Sequence, residues 1–195
     1  MNHLIIFAHE NEGSFNGAIR DTIVHELQEQ NQNVSVRDLY RLRFNPILTM
    51  DELNGFYEQQ YPDDIAAEQQ HIREADVLYF VFPTWWYSMP AILKGYFDRV
   101  FATGFAFHYS KAGPIGLLSG KKALIFQTAA DPEEALSARS LDSAIYNAIG
   151  VGILHYCGLD VVEHKIIPGI HHASDETRSE YLSEIKKSVA RTIGS

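Results

Sequence analysis

This sequence has very little cysteine and fewer basic than acidic residues. Its 195 residues include one cysteine, Cys157, so neither an internal disulfide nor a thiolate metal cluster is possible, and we predict no metal site. Sixteen Lys and Arg against 25 Asp and Glu leave a net charge of −9 at pH 7. That balance argues against a nucleic-acid partner, which would need a basic stripe. The acidic residues are spread along the chain, so an acidic interaction tail is not expected either.

Long apolar runs are also missing. No stretch approaches the roughly 20 apolar residues of a membrane span. The start, Met1 to Leu4, enters a strand directly, without the basic and apolar regions of a signal peptide. No linker, internal repeat or low-complexity segment interrupts the chain. We therefore expect a cytoplasmic protein with one domain over residues 1–195 and no membrane span.

Buried-strand patterns alternate with amphipathic helical patterns along the chain. Strands are predicted at His3–Ala8, Val34–Asp38, Val77–Phe82, Ala123–Thr128 and Asp160–Ile167. Helices are predicted at Gly17–Gln30, at Ile65–Glu74, from near Pro90, over most of Glu133–Cys157, and after Ser174 as N-cap. Leu39–Tyr61 and Thr103–Gly120 are expected to be irregular. The alternation predicts a flavodoxin-like, three-layer α/β/α fold with a five-stranded parallel sheet of order 2-1-3-4-5.

The segment that follows the third predicted strand is the most informative one. Pro83 ends the strand, because it lacks the N–H that a ladder needs. Thr84 to Tyr87 then form a loop at the carboxyl end of a central strand, where open α/β sheets bind ligands. The adjacent Trp85 and Trp86 are typical of a platform that stacks on a planar ring. They are also compatible with a hydrophobic plug over the sheet.

The loop between the first strand and the first helix, His9 to Asn16, is a candidate phosphate site. It lacks both the G-x-G-x-x-G fingerprint and a P-loop. Ser14 and Asn16 lie where a helix N-terminus attracts anions, and His9 could add a donor. The alternative is ordinary N-capping, which Ser and Asn provide in most proteins. Glu10 and Glu12 would repel a phosphate unless they face solvent.

Several motifs together resemble the NAD(P)H:quinone oxidoreductase family, flavoproteins with the flavodoxin-like fold. The resemblance covers most of the chain, with its motifs in the family's order and separations. These motifs are AHENEGSFN (8–16), RFNPIL (43–48), PDDIAAEQ (62–69), FPTWWYSMPAILKGYFDRVF (82–101) and GILHYCG (152–158).

The resemblance implies a bound FAD. Its diphosphate would be held by His9, Ser14, Phe15 and Asn16. Its isoalloxazine ring would be contacted by Pro83, Thr84, Trp85, Trp86 and Tyr87, with further contacts possible from Thr128, Ala129 and Ala130. Loop N–H groups at the flavin N1/O2 and N5 edge would stabilise the negative charge that develops on reduction.

The resemblance also implies a homodimer whose active site lies between the subunits. Phe107, Tyr109 and Tyr156 fall where the family's aromatics line the quinone cavity of the partner. The alternative is that they are plain core aromatics.

One departure from the family pattern concerns proton transfer. After the fourth strand the family has Thr-Thr-Gly-Gly, followed by a Tyr and a His that relay protons. Here the strand ends QTAADP (127–132), and neither Tyr nor His appears before Tyr146. The catalytic residues therefore stay unassigned, with Arg139 as a conceivable cationic substitute near the flavin O2.

The activity implied is a two-electron hydride transfer from NAD(P)H through FAD to a quinone-like acceptor. The extra segment Leu39–Tyr61 favours the longer, FAD-type reductases of this fold. Two alternatives stay open. One is an FMN-dependent azo- or nitroreductase. The other is a non-catalytic electron carrier or a flavin-binding regulatory subunit of a membrane ion-transport system.

Overall fold

A five-stranded parallel sheet lies between two layers of helices in the computed structural model, which describes residues 1–194. Its strands are β1 (Asn2–Phe7), β2 (Asn33–Asp38), β3 (Val77–Pro83), β6 (Lys122–Thr128) and β7 (Asp160–Ile167). A separate antiparallel hairpin contains β4 (Phe107–Ser110) and β5 (Gly113–Gly116). The sheet order is β2-β1-β3-β6-β7 with every pair parallel. The predicted fold and strand order are confirmed.

The helices cover both faces of the sheet. They are α1 (Phe15–Glu29), α2 (Met50–Tyr57), α3 (Asp63–Glu74), α4 (Ala91–Val100), α5 (Glu133–Ala138), α6 (Leu141–Tyr146) and α7 (Asp175–Ile193). A π-helix over Asn147–His155 continues α6. In the part of the chain that the structure describes, no helix is both long and apolar enough to cross a bilayer.

The central strand β3 is buried at all seven positions. Its side chains alternate between two cores, as the twofold period of a strand requires. Leu78, Phe80 and Phe82 face the core under α3, α4 and the π-helix, whereas Val77 and Tyr79 face the core under α1 and α7. Burying each large apolar side chain contributes about 1.5–3 kcal/mol to stability. The two cores thereby fix the register of the sheet.

The carboxyl ends of four strands meet at one edge of the sheet, and backbone hydrogen bonds tie the chain together there. The Ala8 N–H donates to the Val81 carbonyl at 3.0 Å, and the Thr84 N–H donates to the Thr128 carbonyl at 2.6 Å. The Ala129 N–H donates to the Ile167 carbonyl at 2.8 Å. The loops that leave β1, β3, β6 and β7 are therefore held side by side.

The segment Leu39–Tyr61, expected to be irregular, contains the helix α2. Its start carries a capping box in which Thr49 and Glu52 cap each other's backbone N–H groups. The segment is anchored by Arg99 of α4, which is 4% exposed and ion-paired with Glu52 and Asp64. Arg99 also donates to the Asn45 carbonyl at 2.8 Å. The buried guanidinium is thus paired and bonded, as a buried charge has to be.

The same segment packs against α4 at Gly95. A Cβ at this position would lie 2.2 Å from the Pro46 carbonyl oxygen, so only glycine fits without backbone movement. Glycine to alanine inside a helix ordinarily stabilises it by about 1 kcal/mol. We expect Gly95→Ala to do the opposite and lower the free energy of unfolding in urea by about 1–3 kcal/mol, because of overpacking.

The exposed Lys94→Ala variant on the same helix is the control, with an expected change within about 0.5 kcal/mol. A Gly95→Ala protein as stable as the parent would show that Pro46 moves away at no cost.

Candidate active site

A cleft of about 680 Å³ opens at the carboxyl edge of the sheet. It brings together the first loop and the loop after β3, which the sequence had singled out separately. Ten predicted cofactor positions line it: His9, Ser14, Phe15, Asn16, Pro83, Thr84, Trp85, Thr128, Ala129 and Ala130. The other two, Trp86 and Tyr87, lie in the adjoining turn, outside the lining. The volume falls in the range of small-molecule and cofactor sites.

The N-terminus of α1 faces this cleft. Ser14 is the N-cap residue, and its hydroxyl accepts from the Gly17 N–H at 3.2 Å. The expected N-capping is therefore present, yet the N–H groups of Phe15 and Asn16 keep no intrahelical acceptor. The loop packs tightly on the helix, since a Cβ at Gly17 would lie 2.0 Å from the Glu12 carbonyl oxygen.

The two glutamates of the first loop do not occupy the anion position. Both Glu10 and Glu12 are exposed. Glu10 lies at the cleft wall, with its carboxylate 3.4 Å from His9 Nδ1. Glu12 borders a different depression beside Arg20. The repulsion considered from the sequence is thus reduced by the exposure of both carboxylates to solvent.

Asn16 joins the helix to the end of β6. The side chain is 3% exposed, and its Nδ2 donates to Thr128 Oγ1 at 2.8 Å. Its Oδ1 is buried with no hydrogen-bond partner among the described residues. Such an orphaned acceptor is unusual in a native interior and is explained where a ligand supplies the missing donor.

The sequence reasoning missed the part of the cleft that follows the fifth strand of the sheet, which contributes Ile170, His171 and Arg178. Arg178 belongs to the first turn of α7, and its Nη2 donates to the Ile170 carbonyl at 3.3 Å. Its Nε is buried without a partner in the described chain. For Ile170 and His171 the available signal was topological, because the loop after the fifth strand has to begin at the same sheet edge. Arg178, whose Nη1 lies 3.8 Å from Asp175 Oδ1, adds a cation to a wall formed by a helix N-terminus.

The turn after Trp85 is strained. Trp86 and Tyr87 have φ of 51° and 54°, the left-handed region that non-glycine residues avoid. Trp85 and Ser88 close the turn with reciprocal backbone hydrogen bonds of 3.1 and 3.0 Å. Two central residues with positive φ define a type I′ turn, which ordinarily takes Asn-Gly. Trp86 is 97% exposed, so no burial compensates for the strain.

Tyr87 turns away from the cleft toward the loop after β6. Its hydroxyl donates to Asp131 Oδ2 at 2.9 Å. This hydrogen bond raises the pKa of the Tyr87 phenol, and the nearby Arg139 partly offsets the effect. Arg139 is exposed at the end of α5 and does not line the cleft. It therefore neighbours the platform rather than the cavity.

The predicted quinone-site aromatics form one cluster away from the cleft of their own chain. The Phe107 ring lies 5.5 Å from Tyr109 and 5.2 Å from Tyr156, both edge to face. Tyr109 is 66% exposed, so the cluster presents an aromatic surface to solvent. A hydrogen bond with Tyr109 raises the pKa of Tyr156 to about 12.

Neither a thiolate nor a metal cluster accompanies these rings. Cys157 is buried, and desolvation raises the pKa of its thiol to about 12. In residues 1–194 no three His, Cys, Asp or Glu side chains are grouped to hold a metal ion. The cleft is lined by aromatic, amide, hydroxyl, imidazole and guanidinium groups and by the carboxylate of Glu10.

Comparison with known proteins places the chain in a class and then in a family. The flavodoxin-like fold family matches residues 1–189. An uncharacterised NAD(P)H oxidoreductase of Haemophilus influenzae is 40% identical, over 93% of this chain and 91% of that protein. NAD(P)H dehydrogenase (quinone) 1 of Cavia porcellus is 36% identical, over 94% of this chain and 74% of that protein. The solved NAD(P)H:quinone oxidoreductase of Methanothermobacter marburgensis superposes with a TM-score of 0.85 at 29% identity, covering 97% and 95% of the two chains.

The chain is thereby a flavodoxin-like protein. It belongs to the NAD(P)H:quinone oxidoreductase family, as the motifs of its sequence indicated.

The strained turn gives a stability test that needs no ligand. Glycine adopts a positive φ without strain, whereas alanine does not. We therefore expect the free energy of unfolding in urea to be about 1 kcal/mol higher for Trp86→Gly than for Trp86→Ala. At most positions the order is the reverse, and the alanine variant is the more stable of the two. Ser88→Ala and Ser88→Gly, at a neighbouring exposed position without positive φ, should keep the usual order. Equal stability of the two Trp86 variants would mean that the turn rearranges.

Proposed function

We propose that this chain is a cytoplasmic NAD(P)H:quinone oxidoreductase, one flavin-binding domain over residues 1–195 that holds FAD in the cleft at the carboxyl edge of its sheet. The observation that carries the proposal is the composition of one cavity. An anion-attracting wall, with the α1 N-terminus and Arg178, continues into a wall with Trp85, Pro83 and Thr84. That combination suits a ligand with a diphosphate at one end and a planar ring at the other.

The diphosphate side of the cleft is supported by its positive charge and by N–H donors that have no acceptor. The N–H groups of Phe15 and Asn16 extend from a helix with no acidic residue in its first turn. Arg178 contributes a buried Nε that lacks an acceptor. The diphosphate of a bound FAD would accept from these donors, and a hydroxyl group of FAD would supply the donor that Asn16 Oδ1 lacks, so the residues present fit the cofactor.

The ring side of the cleft is supported by backbone N–H groups that have no acceptor in the described chain. The N–H groups of Thr84, Trp85 and Ala129 already have carbonyl acceptors in the chain. Among the described residues we find no acceptor for the N–H groups of Trp86 and Tyr87. The strained type I′ turn thus serves to present two free donors beside the cleft, and strain of this kind is concentrated at functional sites.

When bound, the flavin supplies the two-electron chemistry, taking hydride from NAD(P)H and passing the electrons to a quinone-like acceptor. The chain supplies stacking by Trp85, donors for the developing negative charge, and exclusion of water. We assign Phe107, Tyr109 and Tyr156 to the substrate cavity of the partner subunit in a homodimer. This role is supported by the position of their edge-to-face cluster, which lies outside the cleft of its own chain and is partly exposed.

The decisive experiment is reconstitution of the purified protein. We expect one FAD per chain after release and chromatography, and NAD(P)H-dependent reduction of a soluble quinone. FMN alone would favour the azo- or nitroreductase alternative. FAD that NAD(P)H does not reduce would favour the non-catalytic carrier or regulatory subunit. No flavin affinity at all would refute the proposal.

Arg178 allows the diphosphate wall to be tested by itself. We expect Arg178→Met to weaken FAD binding about tenfold, or roughly 1.4 kcal/mol, while leaving the binding of phosphate-free riboflavin unchanged. Titration by quenching of flavin fluorescence measures both. Arg191→Met is the control on the same helix, since Arg191 pairs with Glu163 away from the cleft. Equal losses for FAD and riboflavin would show that Arg178 does not hold phosphate.

The shared site predicts a homodimer in which the aromatic cluster matters in trans. We expect sedimentation equilibrium to give twice the chain mass. A mixed dimer of Tyr109→Ala and Trp85→Ala chains should regain activity that each homodimer lacks, because one of its two sites is intact. Full activity in a stable monomer would contradict the shared site.

A further inference from the structure

A polar side-chain relay runs behind the cleft, from Thr84 through Gln127 to His164. Gln127 of β6 is fully buried, and its Nε2 lies 2.7 Å from Thr84 Oγ1. Its Oε1 lies 3.3 Å from Nε2 of His164 on the neighbouring strand β7. Thr84 lines the cleft, whereas His164 does not. The relay therefore connects a cleft residue to a histidine outside the candidate site.

The direction of these hydrogen bonds depends on the histidine tautomer. An amide has a donor end and an acceptor end, and a neutral imidazole has one N–H and one lone pair. If His164 carries its proton on Nε2, then Gln127 Oε1 accepts it and Gln127 Nε2 donates to Thr84. If the proton is on Nδ1, every bond reverses and Thr84 donates to Gln127.

The surroundings of Nδ1 favour the first arrangement. Nδ1 is buried and has no hydrogen-bond partner in residues 1–194. It lies close to Gly150 of the π-helix, where an added Cβ would be 3.6 Å from it. A proton on Nδ1 would be a buried donor without an acceptor, and orphaned buried N–H groups are rarer than under-used acceptors. Burial also lowers the pKa of His164 to about 4, so near neutral pH only one ring nitrogen is protonated.

We propose that His164 and Gln127 are positioning residues that fix the Thr84 hydroxyl as a hydrogen-bond donor into the cleft. Thr84 Oγ1 accepts from Gln127, and in the described chain its hydroxyl proton has no other partner. The proton is thus left for an acceptor atom of the occupant. For a flavin, a proposal that depends on the function proposed above, such a donor stabilises the reduced, more negative ring more than the oxidised one.

The tautomer is measured directly by long-range ¹H–¹⁵N NMR of the full-length protein at neutral pH. His164→Gln identifies the signal among the nine histidines. We expect the Nε2–H tautomer, and we expect it to persist when flavin is added. The Nδ1–H tautomer would overturn the proposal, because Thr84 would then be an acceptor toward the cleft. This readout does not depend on whether the protein binds a flavin.

The reduction potential of the bound flavin tests the consequence. We expect Thr84→Val to weaken the binding of reduced flavin about tenfold more than that of oxidised flavin, which lowers a two-electron potential by about 30 mV. Gln127→Met should lower it in the same direction. In the Thr84→Val background, Gln127→Met should produce no further shift, because Gln127 acts through Thr84.

Gln69→Met is the matched control. Gln69 is also a fully buried glutamine, but it donates to the Val100 carbonyl on α4, away from the cleft. It should leave the potential unchanged. An unchanged reduction potential in Thr84→Val would refute the positioning role. So would a shift from Gln127→Met that is equally large in the Thr84→Val background. A protein that takes up no flavin would refute the proposed function instead, and the tautomer would still decide the direction of the relay.

Discussion

The parallel register of β1, β3 and β6 is the constraint on which the candidate site depends. Phe7 is paired with Val81, and Pro83 with Thr128. Pro83 cannot donate, so the last ladder bond comes from the Thr84 N–H. A one-residue slip of β3 would send Phe80 and Phe82 to the wrong core. The two cores therefore hold the Thr84 N–H at the Thr128 carbonyl, and with it the wall of the cleft.

Much of this arrangement could be predicted from the sequence, because it follows from strand patterns and one topological rule. Carboxyl ends of parallel strands share an edge, so the loop at His9–Asn16 and the loop after Pro83 had to be neighbours. Arg178 was not predictable in this way. It lies in the first turn of a distant helix, and only the packing of α7 beside α1 brings it to the cleft.

Two local features escaped prediction for different reasons. The turn at Trp86–Tyr87 has the backbone of an Asn-Gly turn without its residues, so propensity gives no signal. Local rules fail where function outweighs them. The helix α2 did carry a signal, the Thr49–Glu52 capping box, but its interior Asn54 and Gly55 are weak helix formers. Packing of Arg99 against the segment makes up the difference.

The two walls around the candidate ring site differ in conformational strain, and this bears on the missing relay. Ala129 and Ala130 stand where the family has glycines, yet neither has a positive φ, so their Cβ atoms are accommodated without backbone strain. Near the cleft, the non-glycine residues with positive φ are Trp86 and Tyr87, in the turn that adjoins the opposite wall. Of the side chains that line the cleft in the described chain, two are imidazoles, those of His9 and His171. Both belong to the loops that precede α1 and α7, and not to the loop after β6. A proton delivered by an imidazole of the cleft would therefore come from the anion-attracting side, and not from the loop after β6.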